Sequence, residues 1–102
     1  MSIVVVVTAF PLPEHRADVV AAFEAAIPRV HDEPGVELYA LHEGQDRLVM
    51  IEKYESPQAR SEHLKGAALA ELRSALDGKL SQGLDVQVLL PHPAGDARKG
   101  AL

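Results

Sequence analysis

Hydrophobic residues along the chain alternate between two spacings, and the switch from one to the other marks out the elements. Residues 3–10, Ile3-Val4-Val5-Val6-Val7-Thr8-Ala9-Phe10, are apolar and β-branched on both alternating faces. A strand reads this way when it is covered on both sides, so it is expected in the middle of a sheet. Pro11 and Pro13 end it, and Pro13 suits the first turn of a helix, where its missing N–H costs nothing. From Glu14 to His31 the apolar positions Val19, Val20, Phe23, Ala26, Ile27 and Val30 fall three or four apart and make one helical stripe. Arg16, Glu24 and Asp32 occupy the opposite side. Pro28 lies within this helix and predicts a kink or a loosened last turn.

Pro34-Gly35 signals a turn, and two strand-like runs follow, 36–43 and 47–55, joined as a hairpin around Gly44-Gln45-Asp46. Period-two alternation puts Leu38, Ala40 and His42 on one face of the first run and Glu37, Tyr39 and Leu41 on the other. In the second run Leu48, Met50, Glu52 and Tyr54 oppose Val49, Ile51 and Lys53. Ser56-Pro57 is a helix start, a hydroxyl cap followed by proline at the first helical position. The stripe Leu64, Ala68, Leu72 and Leu76, with Leu69 beside it, carries that helix on, and Gly66 is expected to divide it in two. Gly78 falls where a C-terminal cap belongs. Residues 85–90 form a last strand closed by Pro91. The segment 92–102 has no periodicity and is expected to be a flexible tail or an arm ordered by another subunit.

The resulting order, β-α-β-β-α-β, is the ferredoxin-like arrangement: a four-stranded antiparallel sheet with its helices on one face, all within residues 1–91. The strands carry Val, Ile, Leu and Met on both faces, so the uncovered face would expose more apolar surface than a lone subunit tolerates. A homodimer pairing sheet against sheet is the economical solution.

At 102 residues, 47% of them hydrophobic, the chain suits one domain and has no room for a separate cofactor domain. Cysteine is absent, which excludes disulfides, thiolate metal sites and a cysteine nucleophile. The net charge of −5, with scattered basic residues, argues against nucleic acid as a partner. The apolar run at the N-terminus is far shorter than the roughly 20 residues of a bilayer span and has no basic leader. No membrane association and a cytoplasmic location are therefore expected.

His15, His31, His42, His63 and His92 show no metal-ligand spacing, and His31/Glu33 and Glu62/His63 are too sparse to suggest one. No bound metal is expected. Nucleotide-binding glycine loops and the serine-hydrolase elbow are also missing from the sequence.

Pro34-Gly35-Val36-Glu37-Leu38-Tyr39, the strand end Glu52-Lys53-Tyr54, the Ser56-Pro57 helix start and His63 occur in an order that resembles the antibiotic biosynthesis monooxygenase family. The likeness spans about residues 3–91. It implies a dimeric α+β barrel, a pocket between sheet and helices, and, in well-known members, oxygenation of phenolic polyketides or quinols with dioxygen and without a metal, flavin or nicotinamide cofactor. The heme-degrading branch of the fold is a poor match. Its asparagine, tryptophan and histidine pattern would fall near Thr8, His63 and Arg73, and the chain contains no tryptophan.

Oxygenation of this kind needs a dry cavity, a base and donors that hold an anion. His63 is the first candidate, because only histidine titrates near neutrality when unperturbed. Its alternative is an exposed or capping histidine near Gly66. Tyr39, Glu52 and Tyr54 are the other candidate catalytic residues, since strands can aim a phenol or carboxylate with rigid geometry. Tyr54 is alternatively a packed aromatic, and Glu52 a surface partner of Arg47 or Lys65. If buried, Glu52 would favour its neutral form. The function expected is a cofactor-independent monooxygenase acting on a quinol or polyketide-like phenol. A non-catalytic dimer, either one that binds a small apolar or aromatic ligand or a stress-related protein, is the alternative. An isomerase of a small carbonyl compound is a third reading, and it needs Arg29, Arg60, Lys65 and Arg73 to gather around an anion.

Overall fold

The computed structural model describes residues 1–102. The first strand, β1 (Ile3–Ala9), is followed by a short 3-10 turn at Pro13–His15, then α1 (Arg16–His31), β2 (Val36–Glu43), β3 (Leu48–Tyr54), α2 (Pro57–Lys65), α3 (Ala67–Leu76) and β4 (Asp85–Leu89). All strand pairs are antiparallel, in the order β2-β3-β1-β4, so the all-apolar β1 is central as its composition predicts.

Strand register decides which side chains share a face. Tyr39 lies opposite Glu52, and Glu52 opposite Val5; Met50 pairs with Leu41 and Val7, and Leu48 with Ala9. This is the face the helices cover. Ala9, Tyr39, Leu48 and Met50 share one buried core with Val19, Phe23, Ala26 and Val30 of α1 and Ala68, Leu72 and Leu76 of α3. A smaller cluster, Ile3, Val5, Tyr54 and Ala59, seats α2 on the sheet. Val4, Val6, Leu38, Ala40, Val49, Ile51 and Leu89 belong to the alternate register set and point to the other, open face. The ferredoxin-like arrangement is thus present, with its second helix divided.

Three details depart from the sequence reading, each for a local reason. Helix α1 starts at Arg16 because Pro13–His15 forms a tighter 3-10 turn first. It continues unbroken through Pro28 to His31. The missing hydrogen bond falls near the end, where Asp32 N–H donates to Arg29 O (3.3 Å) and Glu33 N–H to Val30 O (3.0 Å), tightening the exit. Gly66 does divide the second helix, with an extended ψ of 157°. The break rotates the helix face, so Leu64 is exposed and it is His63 that enters the core alongside Ala59. No helix is long and apolar enough to cross a membrane.

Beyond β4 the chain makes a compact turn in which Asp96 Oδ1 accepts from Arg98 N–H and Lys99 N–H. The Leu102 carbonyl then accepts from Lys53 Nζ at 2.7 Å, bringing the end of the chain back to the open face of the sheet.

Candidate active site

Four strands and three helices enclose a small cavity of about 100 Å³ on the covered side of the sheet. Its buried floor is Val5, Phe23 and Leu72 together with the polar side chains Tyr39, Glu52 and His63. Leu64, Arg73 and Val86, all exposed, form its rim, and Arg60, Leu69 and Leu84 fill the walls between. The sequence candidates Tyr39, Glu52 and His63 therefore share one cavity. They arrive from three elements because β2 and β3 are in register at Tyr39 and Glu52, and the turn of α2 aims His63 inward over them.

Tyr54 does not line the cavity. It is fully buried behind Glu52, and its hydroxyl donates to Glu52 Oε1 at 2.5 Å, a short hydrogen bond. Tyr54 thus orients the carboxyl. Glu52 is only 5% exposed. Burial pushes its carboxyl above the usual carboxylate range, outweighing the opposing effects of the Tyr54 hydroxyl, His63 and Arg60. Neither surface partner weighed for it is engaged there: Arg47 binds Asp46 and Lys65 lies near Glu62.

His63 is 4% exposed, which sets aside its reading as a surface or capping residue. Its ring stands edge-on to Tyr39, with centroids 5.6 Å apart, and tilted against Tyr54 at 5.5 Å. Its Nδ1 lies 2.7 Å from Glu33 Oε1. A carboxylate only accepts, so Nδ1 carries the proton that donates to Glu33, and Nε2 is left as the acceptor in the neutral ring. Nothing in the chain hydrogen-bonds Nε2 or the Tyr39 hydroxyl, so both are available to a ligand. Burial, and then the charges of Glu52 and Glu33, push the Tyr39 phenol well up, so it stays a donor.

Glu33 was not singled out in this role from sequence. It sits in the loop after α1, 30 positions from His63, and no periodicity links the two. Glu33 and His63 also border a larger groove of about 420 Å³ outside the cavity, lined by Pro34, Glu55, Ser56, Glu62 and Gly66 among others. That groove is lined mostly by residues of polar type, whereas the cavity gathers hydrophobic side chains around its three polar ones, the usual make-up of a small-molecule site. The smaller cavity is therefore the candidate site.

Of the four cations considered for an anion cluster, Arg29 binds Glu71 and Lys65 faces Glu62, both at the surface. Arg60 and Arg73 both reach the cavity. No group of three or more His, Asp or Glu side chains converges in a way that could hold a metal ion.

Comparisons with known proteins bear on the same architecture. Among solved structures, the chain is similar to Rv0793 from Mycobacterium tuberculosis, with 26% identity, a TM-score of 0.88, and coverage of 94% of this chain and 100% of that one. A conserved protein from Methanosarcina mazei Go1 shares 18% identity at a TM-score of 0.82, covering 86% of this chain and 90% of its own. PA3566 from Pseudomonas aeruginosa shares 19% identity at 0.79, covering 86% and 91%. At these lower identities the likeness concerns the fold alone. No curated protein matches the sequence. The sequence profile described as "Antibiotic biosynthesis monooxygenase" matches residues 2–75, which takes in β1 through nearly all of α3 and every polar residue of the cavity floor. With that match spanning most of its length, the chain belongs to the antibiotic biosynthesis monooxygenase family.

Proposed function

We propose that this protein is a cofactor-independent monooxygenase of the cytoplasm that oxidises a small phenol or quinol with dioxygen, and that it works as a dimer paired through the open face of the sheet, with residues 92–102 contributing as an arm. The observation that supports the chemistry is the convergence of Tyr39, Glu52 and His63 on one mostly apolar cavity, with His63 Nε2 unoccupied and its tautomer set by Glu33. His63 Nε2 takes the phenolic proton. The Tyr39 hydroxyl, and Glu52 in its neutral form, donate to the oxygen anion that results. The electron-rich ring carbon then forms a bond to dioxygen. Cleavage of the O–O bond releases water and leaves a carbonyl, so one oxygen atom enters the product and the ring loses two hydrogens. In sum, phenol plus dioxygen yields quinone plus water.

Cavity size narrows the substrate. An apolar cavity of roughly 150 Å³ holds one benzene, and about 100 Å³ is available here. By that comparison a single ring already needs the exposed rim at Val86 to give way, and a fused polyketide needs far more room. Oxygen-electrode assays over a panel of single-ring hydroquinones test the proposal. Uptake is expected, with a loss of about 10²–10⁴-fold in His63→Ala, the usual range for a general base. If no compound in the panel gives His63-dependent uptake, the oxygenase reading is overturned. The alternative, a dimer that holds a small ligand without turning it over, gains support from the small cavity and predicts a retained ligand in native mass spectrometry.

A further inference from the structure

The polar floor of the cavity accounts for a reacting hydroxyl, but not for the two guanidinium groups above it. Arg60 lies one turn before His63 on α2, and Arg73 directly follows the buried Leu72 on α3. Both line the cavity. Three other arginines are neutralised: Arg16 binds Glu43, Arg29 binds Glu71 and Arg47 binds Asp46, while Arg98 lies in the C-terminal segment away from the cavity. Neither Arg60 nor Arg73 has a carboxylate partner or a side-chain hydrogen bond. In a chain of net charge −5, where carboxylates outnumber cations 15 to 10, two unpaired arginines at one cavity are an arrangement that calls for a ligand.

We propose that Arg60 and Arg73 form an anion subsite at the mouth of the cavity, and that the ligand is a single aromatic ring bearing a carboxylate. The inference deepens the reading of this cavity as the substrate site and rests on it. The geometry separates the two ends of such a ligand. The ring and its hydroxyl belong on the buried floor with Tyr39, Glu52 and His63, while the carboxylate stays at the rim, where Leu64 is 40% and Val86 47% exposed. Guanidinium is suited to this position because its planar fork binds a carboxylate in two places and tolerates partial dehydration. Glu52 offers little competition as a partner for Arg60, since it is held by Tyr54 and burial favours its neutral form. A ligand without an anionic group would leave both arginines facing an apolar rim with nothing to bind.

The test compares two probes that differ in charge and little else, 4-hydroxybenzoate and 4-hydroxybenzyl alcohol, titrated into the full chain by calorimetry. Binding is read without turnover, so the result is independent of whether oxygen is consumed. The wild type is expected to bind the hydroxybenzoate at least tenfold more tightly, with the advantage shrinking as salt rises. In the R60Q/R73Q double variant the advantage is expected to fall below threefold, with Arg60→Lys retaining part of it. Both positions are at least partly exposed, so glutamine should not disturb the core; if the double variant fails to fold, Arg73→Gln alone carries the test and is expected to lose part of the preference. Equal affinity for the two probes, no measurable binding of the hydroxybenzoate at millimolar concentration, or an undiminished preference in the folded variants would overturn the proposal. If the arginines instead pair with carboxylates of a second copy, the double variant sediments differently while the preference is unchanged, which also overturns it.

Discussion

Glu52 is a carboxyl set among apolar neighbours, and its environment makes a prediction that needs no knowledge of the substrate. Burial raises its folded-state value above the ordinary one of 4.5. Between those two values the folded protein binds a proton that the unfolded chain has released, so stability is complete at low pH and falls as pH climbs from the ordinary carboxylate range through the folded value. Glu52→Gln removes the ionisation and keeps an acceptor for Tyr54. The variant's Tm relative to the wild type's should therefore rise as pH climbs out of the ordinary carboxylate range, in differential scanning calorimetry; a difference that stays constant over that climb would contradict a buried carboxyl of raised pKa. Glu33 carries the second prediction at this scale. It acts on a ligand only through His63, as a positioning residue, so Glu33→Gln should lower kcat by about tenfold or more with KM little changed, and move the acidic limb of the pH–rate profile. A change in KM alone would mean that Glu33 is not acting through the ring.

Among the elements, the join between the 34–35 turn and α2 matters most, since α2 delivers His63. Gly35 has a φ of +80°, and a Cβ there would stand 2.5 Å from Ala59 Cβ. Its carbonyl also accepts Glu55 N–H at 2.8 Å. Gly35→Ala combines a strained backbone with a collision against α2, and should cost about 1–3 kcal/mol in urea unfolding. Ser56 caps the same helix, its hydroxyl accepting from Ala59 N–H at 3.1 Å. Ser56→Ala should cost about 1 kcal/mol, lowering Tm by roughly 4–8 °C. The Ser-Pro start, the Gly66 division and the left-handed Gly78 after α3 (φ +74°) were legible because each is local chemistry. The new orientation of Leu64 was not, because a helix break changes which face continues and a stripe read across Gly66 assumes one rigid cylinder.

For the molecule as a whole, the half-exposed apolar set on the open face of the sheet is the basis for expecting a partner copy. Ile51 lies at the middle of that face, in register with Val6 on one side and Ala40 on the other. Strand β4 adds the exposed Leu89 at the edge. Sedimentation velocity at micromolar concentration should show a dimer for the wild type and a shift toward monomer for Ile51→Lys, because burying an unpaired charge at that position is prohibitive. A wild type that remains a single subunit would refute pairing through this face.

Local pattern alone determined the element order, the central place of β1 and the face on which Tyr39 and Glu52 lie, since period-two alternation assigns faces without any partner. Which face the helices cover was not legible, because both faces of β2 and β3 mix apolar with polar residues. What only the tertiary structure decided is which distant side chains are brought together: Glu33 bonds to His63, and Arg60 and Arg73 come to line one cavity with Tyr39, Glu52 and His63. Those encounters depend on loop closure and on how α2 and α3 turn about Gly66. Spacing along a chain carries no information about contacts made across such a break, and that is why the polar half of the site emerges only once the chain is folded.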